Sequence, residues 1–236
     1  MSNSYFQFKQ FTINQERCAM KVSTEACLFG AWIPIESQKR ILDIGCGTGL
    51  LSLMLAQRTD VKIEAVELDT EAAQQACENV AASPWPERVQ VIQTDIFKYV
   101  ESEFDPFDLI VVNPPFFSDS LKSDDREKNL AKHDSQGFDK QKLAAALNKL
   151  LAKQGKAYIL YPDYESSLFE NEVKSQGLNF TKALVIRNQP NGKVFRIISL
   201  ITRTSVEIEV EELIIREGNN HTENFKALLG PFYLRY

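Results

Sequence analysis

Short apolar runs alternate with helix-forming segments along most of the chain, which is typical of a sheet covered by helices. Apolar runs predict five strands, at residues 41–44, 61–69, 89–97, 107–112 and 156–161. Two later strand patterns, 181–187 and 194–204, flank the turn signal Asn188-Gln-Pro-Asn-Gly192 and predict an antiparallel hairpin. We therefore predict an α/β fold whose seven-stranded, mostly parallel sheet ends in this hairpin, with helices on both faces. A further strand-like stretch at 207–216 lies outside that count.

The first twenty residues are polar and aromatic, and the alternation from Phe6 to Ile13 predicts a small hairpin. The favoured interpretation is that this hairpin packs at the domain edge and closes the core. The alternative is a substrate-contacting extension in which Lys9, Arg17 and Lys21 face phosphates.

A glycine-rich turn, Asp43-Ile-Gly-Cys-Gly-Thr-Gly49, follows the first strand and precedes a strong helix former. Glycines let the backbone approach a ligand closely, and the start of the helix offers free N–H groups. The spacing differs from the Gly-x-Gly-x-x-Gly of dinucleotide binders and suits a ligand with an amino acid tail. Ser23 and Thr24, which can cap a helix predicted from Glu25, are candidates for contacting that tail.

Two later strands end in acidic residues, Glu67 and Asp95. Glu67 lies close to where such folds place an acid against ribose, and a carboxylate can accept hydrogen bonds from both hydroxyls. Asp95 could accept the exocyclic amine of an adenine, with Ile96 against the ring, or it could cap a helix. Thr70 is predicted to cap a helix over 71–82.

The most specific signal is Asn113-Pro-Pro-Phe116, directly after the buried strand 107–112. Ligands bind at the carboxyl ends of strands in doubly wound sheets. Because two prolines fix the backbone, the Asn113 side chain and the Pro114 carbonyl form two adjacent acceptors. They suit a planar amine with two N–H bonds, and Phe116 can stack on its ring.

The segment 117–141 is mostly polar and charged, and we interpret it as a substrate-facing loop rather than a solvated connection. Its candidate substrate contacts are Phe117, Lys132 and His133. His133 is preferred over the second histidine, His221, which lies in a polar stretch near the end of the chain.

Length and composition are those of one soluble globular domain. The 236 residues can bury a substantial core, so we expect a single domain over 1–236, in which residues 1–35 form an N-terminal extension and a helix beside the cofactor. No apolar run approaches the roughly 20 residues of a membrane span. The N-terminus lacks a signal pattern, so we expect a cytoplasmic protein without a membrane partner.

Charge and cysteine spacing exclude other classes. A net charge of −5 argues mildly against a protein coated with nucleic acid, although a local basic surface remains compatible with it. The four cysteines have neither disulfide nor zinc-site spacing, so we expect reduced thiols and no metal; they are Cys18, Cys27, Cys46 and Cys77.

The glycine turn and Asn113-Pro-Pro-Phe116 together resemble the class I S-adenosylmethionine-dependent methyltransferases that act on amino groups. Three more segments resemble bacterial tRNA1(Val) adenine-N6 methyltransferases: Lys21–Trp32, Leu130–Asp134 and Phe225–Leu234. The resemblance covers essentially the whole chain. It implies a Rossmann-like class I methyltransferase fold, S-adenosyl-L-methionine as cofactor, and methylation of the adenosine next to the anticodon, position 37, of tRNA1(Val). We expect a monomer.

The resemblance also implies roles for single residues. The glycines would line the cofactor, Glu67 would hold its ribose, Asp95 its adenine, and Lys21 and Thr24 would lie near its methionine end. The candidate cofactor contacts are Lys21, Thr24, Asp43, Gly45, Gly47, Gly49, Glu67, Leu68, Asp95, Ile96 and Asn113. The candidate catalytic residues are Asn113, Pro114, Pro115 and Phe116. The candidate substrate contacts are Phe116, Phe117, Lys132 and His133.

Four alternatives compete with this interpretation. An rRNA guanine-N2 methyltransferase, or a glutamine-amide methyltransferase of release factors, would be expected to carry an additional N-terminal domain. A DNA adenine methyltransferase would be expected to carry a separate target-recognition domain. A nicotinamide-dependent dehydrogenase or a non-catalytic nucleotide-binding module would use the glycine turn but leave Asn113-Pro-Pro-Phe116 unexplained.

Overall fold

The computed structural model describes residues 3–115 and 139–235, and these residues follow the predicted alternation of strands and helices. The helices are α1 Thr24–Trp32, α2 Leu50–Ala56, α3 Thr70–Ala81, α4 Ile96–Tyr99, α5 Lys140–Leu150, α6 Asp163–Ser175 and α7 Glu223–Leu229. The strands are β1 Tyr5–Gln7, β2 Thr12–Asn14, β3 Arg40–Ile44, β4 Lys62–Glu67, β5 Val89–Gln93, β6 Phe107–Val112, β7 Leu151–Tyr161, β8 Asn179–Arg187, β9 Val194–Thr202, β10 Glu211–Ile214, β11 Arg216–Glu217 and β12 Asn220–His221.

The central sheet has the strand order β10-β8-β9-β7-β6-β3-β4-β5. Strand β9 runs antiparallel to both of its neighbours, and every other neighbouring pair is parallel. The predicted mostly parallel sheet with a C-terminal antiparallel hairpin is confirmed, but the sheet has eight strands rather than seven. The additional strand is β10, which pairs with β8 at the sheet edge. Its first two residues, Glu211 and Glu212, are exposed, which explains its weak apolar signal.

The order of the strands places a crevice above β3 and β6. From β3 the chain continues through β4 to β5 on one side, and it then returns to add β6 on the other side of β3. Ligands bind in such doubly wound sheets at the carboxyl ends of the strands, where the strand order reverses. The glycine turn follows β3 and Asn113 follows β6, so the topology brings both sequence motifs to this crevice.

Two apolar cores cover the two faces of the sheet, because side chains of consecutive strand residues point to opposite faces. Ile41 and Leu109 lie in the core beneath α1, α2, α3 and α7, whereas Leu42 and Ile110 lie in the core beneath α5 and α6. All four side chains are fully buried. The sheet is therefore a rigid central layer that fixes the positions of the strand ends.

The predicted N-terminal hairpin is present, since β1 and β2 pair antiparallel with Phe6 opposite Ile13. Phe8, Phe11 and Ile13 are buried in the core, and Phe8 lies 6.0 Å, centroid to centroid, from the ring of Tyr233. The Lys9 backbone N–H donates to the Phe232 carbonyl at 2.7 Å. The hairpin thus closes the core and joins the first residues to the last described ones.

The three cations of the alternative interpretation have protein partners. The ammonium group of Lys9 donates to the Gly230 carbonyl at 2.5 Å, and that of Lys21 donates to the Gln15 carbonyl. Arg17 forms an ion pair with Glu78 of α3. These contacts favour the edge-packing hairpin over the phosphate-facing extension.

Helix starts show where local prediction was right and where it was wrong. Ser23 caps α1, as expected, and its hydroxyl accepts a hydrogen bond from the Ala26 N–H at 3.3 Å. Thr70 was predicted to cap α3, but Asp69 is the cap and accepts from the Ala72 N–H at 2.8 Å. The carboxylate of Asp69 reaches the helix N–H group and leaves Thr70 as the first helical residue.

The described residues contain neither a membrane-spanning helix nor a cluster of metal ligands. No helix there is long and apolar enough to cross a membrane. No group of three or more His, Cys, Asp or Glu side chains in the same ranges could hold a metal ion.

Candidate active site

The glycine turn leaves β3 in a conformation that requires glycine. The φ angles of Gly45, Gly47 and Gly49 are 71°, 54° and 80°, in the left-handed region that other residues rarely adopt. The Gly45 and Cys46 N–H groups donate to the Val66 carbonyl at 2.8 and 3.1 Å, which ties the turn to β4. The turn is therefore held open at the edge of the sheet.

The three glycines differ in what surrounds them. Within the part of the chain that the structure describes, a Cβ atom added to Gly45 or Gly47 would have no neighbour within 4 Å, so both face open space there. A Cβ atom on Gly49 would lie 3.5 Å from the Cβ atom of Ala76 on α3. Gly45 and Gly47 thus leave room for a ligand, whereas Gly49 permits close packing between the turn and α3.

Glu67 is at the end of β4, beside the turn. Its Oε2 accepts a hydrogen bond from the Gly47 N–H at 2.8 Å, and its Oε1 accepts from the Asp69 N–H at 2.9 Å. The carboxylate is only partly buried, and the adjacent Leu68 is 64% exposed. The site therefore offers a fixed anionic acceptor and an exposed apolar side chain next to the glycines.

Asp43 is fully buried beneath the turn. Its Oδ2 accepts hydrogen bonds from the Ser52 N–H and hydroxyl at 3.1 and 2.7 Å, while its Oδ1 is buried without a partner among the described residues. Burial raises the pKa of Asp43 to about 7, against the lowering effect of the Ser52 hydrogen bonds. Asp43 therefore joins the end of β3 to α2 from inside the protein.

Asp95 lies beyond the end of β5 and caps α4. Its Oδ1 accepts a hydrogen bond from the Phe97 N–H at 2.8 Å, so Asp95 caps the helix, as one of the two interpretations expected. Within the described residues Oδ2 accepts no hydrogen bond, so the carboxylate retains an acceptor. Ile96 is only 4% exposed, so little of its surface is available to a ligand.

Asn113 follows the last residue of β6. Its Oδ1 is buried and has no hydrogen-bond partner within residues 3–115 and 139–235. A buried acceptor without a partner destabilises the fold, and a ligand that donates a hydrogen bond to it recovers that free energy. The buried Oδ1 of Asn113 therefore indicates a site for a hydrogen-bond donor. Pro114 is buried and Pro115 is exposed, which fixes the backbone between the core and the surface.

The remaining described candidates for cofactor binding lie at the start of α1, Lys21 just before the helix and Thr24 as its first residue. Lys21 and Thr24 are exposed on either side of Val22 and Ser23. Gln15 closes this segment, because its Oε1 accepts from the Val22 N–H at 2.7 Å. The candidates Phe116, Phe117, Lys132 and His133, and with them residues 117–138 of the predicted loop, lie outside the described residues.

Sequence reasoning missed three buried polar residues that support the site. Ser52 holds Asp43, Gln15 closes the segment before α1, and Asn79 bonds to the glycine turn. Each had a signal in the sequence, since Ser52 and Asn79 are polar residues on otherwise apolar helix faces. Gln15 had the weaker signal because it lies in a polar stretch.

Two methyltransferases of known structure share this fold. A predicted O-methyltransferase from Agrobacterium tumefaciens superposes with a TM-score of 0.61 at 17% identity, over 87% of this chain and 95% of its own. The glycopeptide N-methyltransferase MtfA, in complex with (S)-adenosyl-L-methionine, gives a TM-score of 0.54 at 13% identity, over 77% of this chain and 93% of its own. At these identities the likeness establishes the class I methyltransferase fold.

Sequence comparison identifies the family. Residues 19–155 match the model of the methyltransferase small domain. The tRNA1(Val) (adenine(37)-N6)-methyltransferase of Dyadobacter fermentans is 42% identical over 99% of both chains. The enzymes with the same name are 40% identical in Bacteroides fragilis, over the whole of both chains, and 37% identical in Yersinia enterocolitica, over 98% of this chain and 93% of theirs. The chain therefore belongs to the methyltransferase small domain family and to the family of tRNA1(Val) (adenine(37)-N6)-methyltransferases.

Proposed function

We propose that this protein transfers the methyl group of S-adenosyl-L-methionine to N6 of adenosine 37 in tRNA1(Val). The names of its full-length relatives support the cofactor, the target atom and the tRNA. The structural observation that carries the proposal is the buried Oδ1 of Asn113 at the end of β6, which has no hydrogen-bond partner among the described residues. Strand β6 lies next to β3, the strand that ends in the glycine turn. A tRNA substrate implies a cytoplasmic reaction, and we expect the enzyme to act as a monomer.

The residues of the crevice fit the cofactor. Gly45 and Gly47 leave open space where the main chain can approach a ligand closely. The Glu67 carboxylate has the acceptors that two ribose hydroxyls need, and Asp95 has an acceptor for the adenine amine. Lys21 and Thr24 would lie near the methionine end.

Two further candidates, Asp43 and Gly49, act at a distance from the ligand or through the main chain. Asp43 is fully buried, so we assign it to supporting the turn rather than contacting the cofactor. Gly49 packs on α3 and contributes through its backbone.

The catalytic contribution of the chain is positioning. When bound, S-adenosyl-L-methionine supplies an electrophilic methyl group on a sulfonium. Adenine N6 is a poor nucleophile because its lone pair is delocalised into the ring. Hydrogen bonds from its two N–H groups to Asn113 Oδ1 and the Pro114 carbonyl would favour a pyramidal nitrogen with its lone pair aimed at the methyl carbon.

The proposed methyl transfer needs no strong base. The nitrogen lone pair forms the new N–C bond, the C–S bonding pair stays on sulfur, and the proton that N6 loses leaves to solvent. Alignment of this kind supplies much of the rate enhancement in bimolecular reactions. The target adenine has to leave its stack to reach Asn113, and we propose that Phe116 then stacks on it.

The direct test is to incubate the purified protein with methyl-labelled S-adenosyl-L-methionine and bulk unmodified tRNA, followed by nucleoside analysis by mass spectrometry. We expect N6-methyladenosine in one tRNA species. Label in guanosine would indicate a guanine-N2 enzyme, and label in protein would indicate an amide methyltransferase. Cofactor binding without transfer to tRNA would contradict the tRNA assignment.

The role of Asn113 is tested by Asn113→Ala. We expect turnover to fall at least about 100-fold, because the target amine loses one of its two acceptors and its alignment. S-adenosyl-L-methionine binding, measured by calorimetry, should stay within about twofold of the parent protein. Equal loss of binding and turnover would refute the assignment of Asn113 to the target base.

A further inference from the structure

We propose that Asn79 is a positioning residue for cofactor binding, which locks the N-terminal hairpin to the glycine turn. Asn79 lies on α3, outside every contact assigned to cofactor or substrate above. The inference rests on the proposed function, since it concerns the affinity of that same crevice for S-adenosyl-L-methionine.

The side chain of Asn79 joins three segments that are distant in sequence. Its Nδ2 donates to the Asn14 carbonyl at 2.8 Å and to the Thr48 carbonyl at 2.9 Å. Its Oδ1 accepts from the Asn14 N–H at 2.9 Å. Because Asn14 ends β2 and Thr48 lies between Gly47 and Gly49, one amide group holds the hairpin and the turn together.

This junction is buried at the glycine turn and partly open to solvent at the hairpin. Asn79 is 1% exposed and Thr48 is 6% exposed, so the hydrogen bond between them is shielded from water, whereas Asn14 is exposed. Removing the amide would leave the buried Thr48 carbonyl without this donor, which is costly, and would release the Asn14 backbone from α3. The chain therefore fixes the turn and the hairpin at one separation.

The junction continues from the hairpin to the other side of the cofactor site. Gln15, the neighbour of Asn14, is 4% exposed, and its Oε1 accepts from the Val22 N–H at 2.7 Å. Lys21 next to Val22 donates to the Gln15 carbonyl. A continuous series of hydrogen bonds thus runs from Thr48 in the turn to the segment that carries Lys21 and Thr24.

This path gives Asn79 a role that its neighbours on α3 do not share. In the proposed site the turn lines the cofactor and the 21–24 segment lies near its methionine end, so the distance between them affects how well the ligand fits. A residue that fixes this distance stabilises the binding-competent arrangement before the ligand arrives. Its loss therefore weakens cofactor affinity beyond its effect on global stability.

The test compares Asn79→Leu and Asn79→Asp with the parent protein. The first variant keeps the volume and removes all three hydrogen bonds, whereas the second keeps an acceptor for the Asn14 N–H and removes both donors. We expect S-adenosyl-L-methionine binding by calorimetry to weaken about tenfold in both. Turnover at saturating cofactor should stay within about twofold, so that KM for the cofactor rises while kcat is retained.

The matched control is Asn148→Leu. Asn148 on α5 is a partly buried asparagine that donates to the Gln176 carbonyl at 3.2 Å and accepts from Arg203 at 2.7 Å, beneath the opposite face of the sheet. We expect this variant to lower the melting temperature without changing cofactor affinity. If Asn79→Leu fails to fold, Asn79→Asp, which retains the acceptor for the Asn14 N–H, carries the comparison.

Hydrogen exchange supplies a second readout that a purely structural role would not change. In the parent protein, cofactor binding should slow the exchange of amides in residues 14–22, and this slowing should disappear in the Asn79 variants. Parent-like affinity in both Asn79 variants, or equal weakening in Asn148→Leu, would overturn the inference. Failure of the parent protein itself to bind the cofactor would instead overturn the proposed function on which the inference rests.

Discussion

Replacing Gly47 by alanine tests directly whether the glycine turn faces a ligand. The φ angle of Gly47 is 54°, and an alanine in this region costs about 1–2 kcal/mol. Alanine also lowers the conformational entropy of the unfolded chain, which stabilises the folded protein by about 0.4–1 kcal/mol. The net loss of folding free energy is therefore about 1 kcal/mol. For a protein of this size that corresponds to a fall in melting temperature of roughly 2–4 °C.

The added methyl group meets no atom of the described residues, so we attribute any larger loss of function to the ligand. We expect affinity for S-adenosyl-L-methionine to fall at least about fivefold, because overpacking typically costs about 1 kcal/mol or more. Gly177→Ala is the matched control, with a φ of 72° and equally open surroundings next to β8, at the opposite edge of the sheet.

The assay measures cofactor affinity by calorimetry and melting temperature by circular dichroism for both variants. Both should lose a few degrees of stability, but only Gly47→Ala should lose affinity. If the two variants bind the cofactor equally well, the open space at Gly47 is not part of the ligand site and the reasoning fails.

Two further predictions concern carboxylates. Because burial raises the pKa of Asp43 to about 7, the folded state holds a proton that the unfolded chain has released between about pH 4 and pH 7, and stability falls as the pH rises across that range. Relative to the parent, Asp43→Asn should therefore gain up to about 4 kcal/mol in urea unfolding at pH 8 and little at pH 4; an equal difference at both pH values would contradict this. Glu67→Gln should weaken cofactor binding about 10–100-fold by removing a charged acceptor, whereas Glu64→Gln, on the same strand but bonded to Tyr99 and Arg40, should leave binding unchanged in calorimetry.

The sheet was predictable because its signals are local and repeated. Runs such as Phe107–Val112 have to be buried on both faces, and the turn signal at 188–192 fixes a hairpin. The stretch 207–216 was recognised as strand-like but left out of the sheet, because β10 is an edge strand with two exposed glutamates and little apolar surface. The prediction that Thr70 caps α3 was wrong because Asp69 and Thr70 can both cap a helix. The backbone conformation in the folded protein, which the sequence does not show, decides between them.

The ligand-facing part of the site was more predictable than its support. Gly47, Glu67 and Asn113 follow strands directly, so strand prediction alone brings them to one edge of the sheet. Asn79 depends instead on contacts between residues 14, 48 and 79, whose separations no local pattern encodes. A polar residue on a buried helix face shows that a partner is needed but does not show which partner.

The contact between the two ends of the chain has a consequence for synthesis on the ribosome. The hairpin packs on Tyr233, and the Lys9 N–H bonds to the Phe232 carbonyl, across more than 220 residues. Since translation proceeds from the N-terminus, the first strands emerge long before their partner and wait through the synthesis of the whole sheet. The hairpin that Asn79 holds against the glycine turn is therefore expected to complete its packing only after residues 232 and 233 have left the ribosome. A ribosome stalled before residue 230 would display this hairpin without its C-terminal contacts.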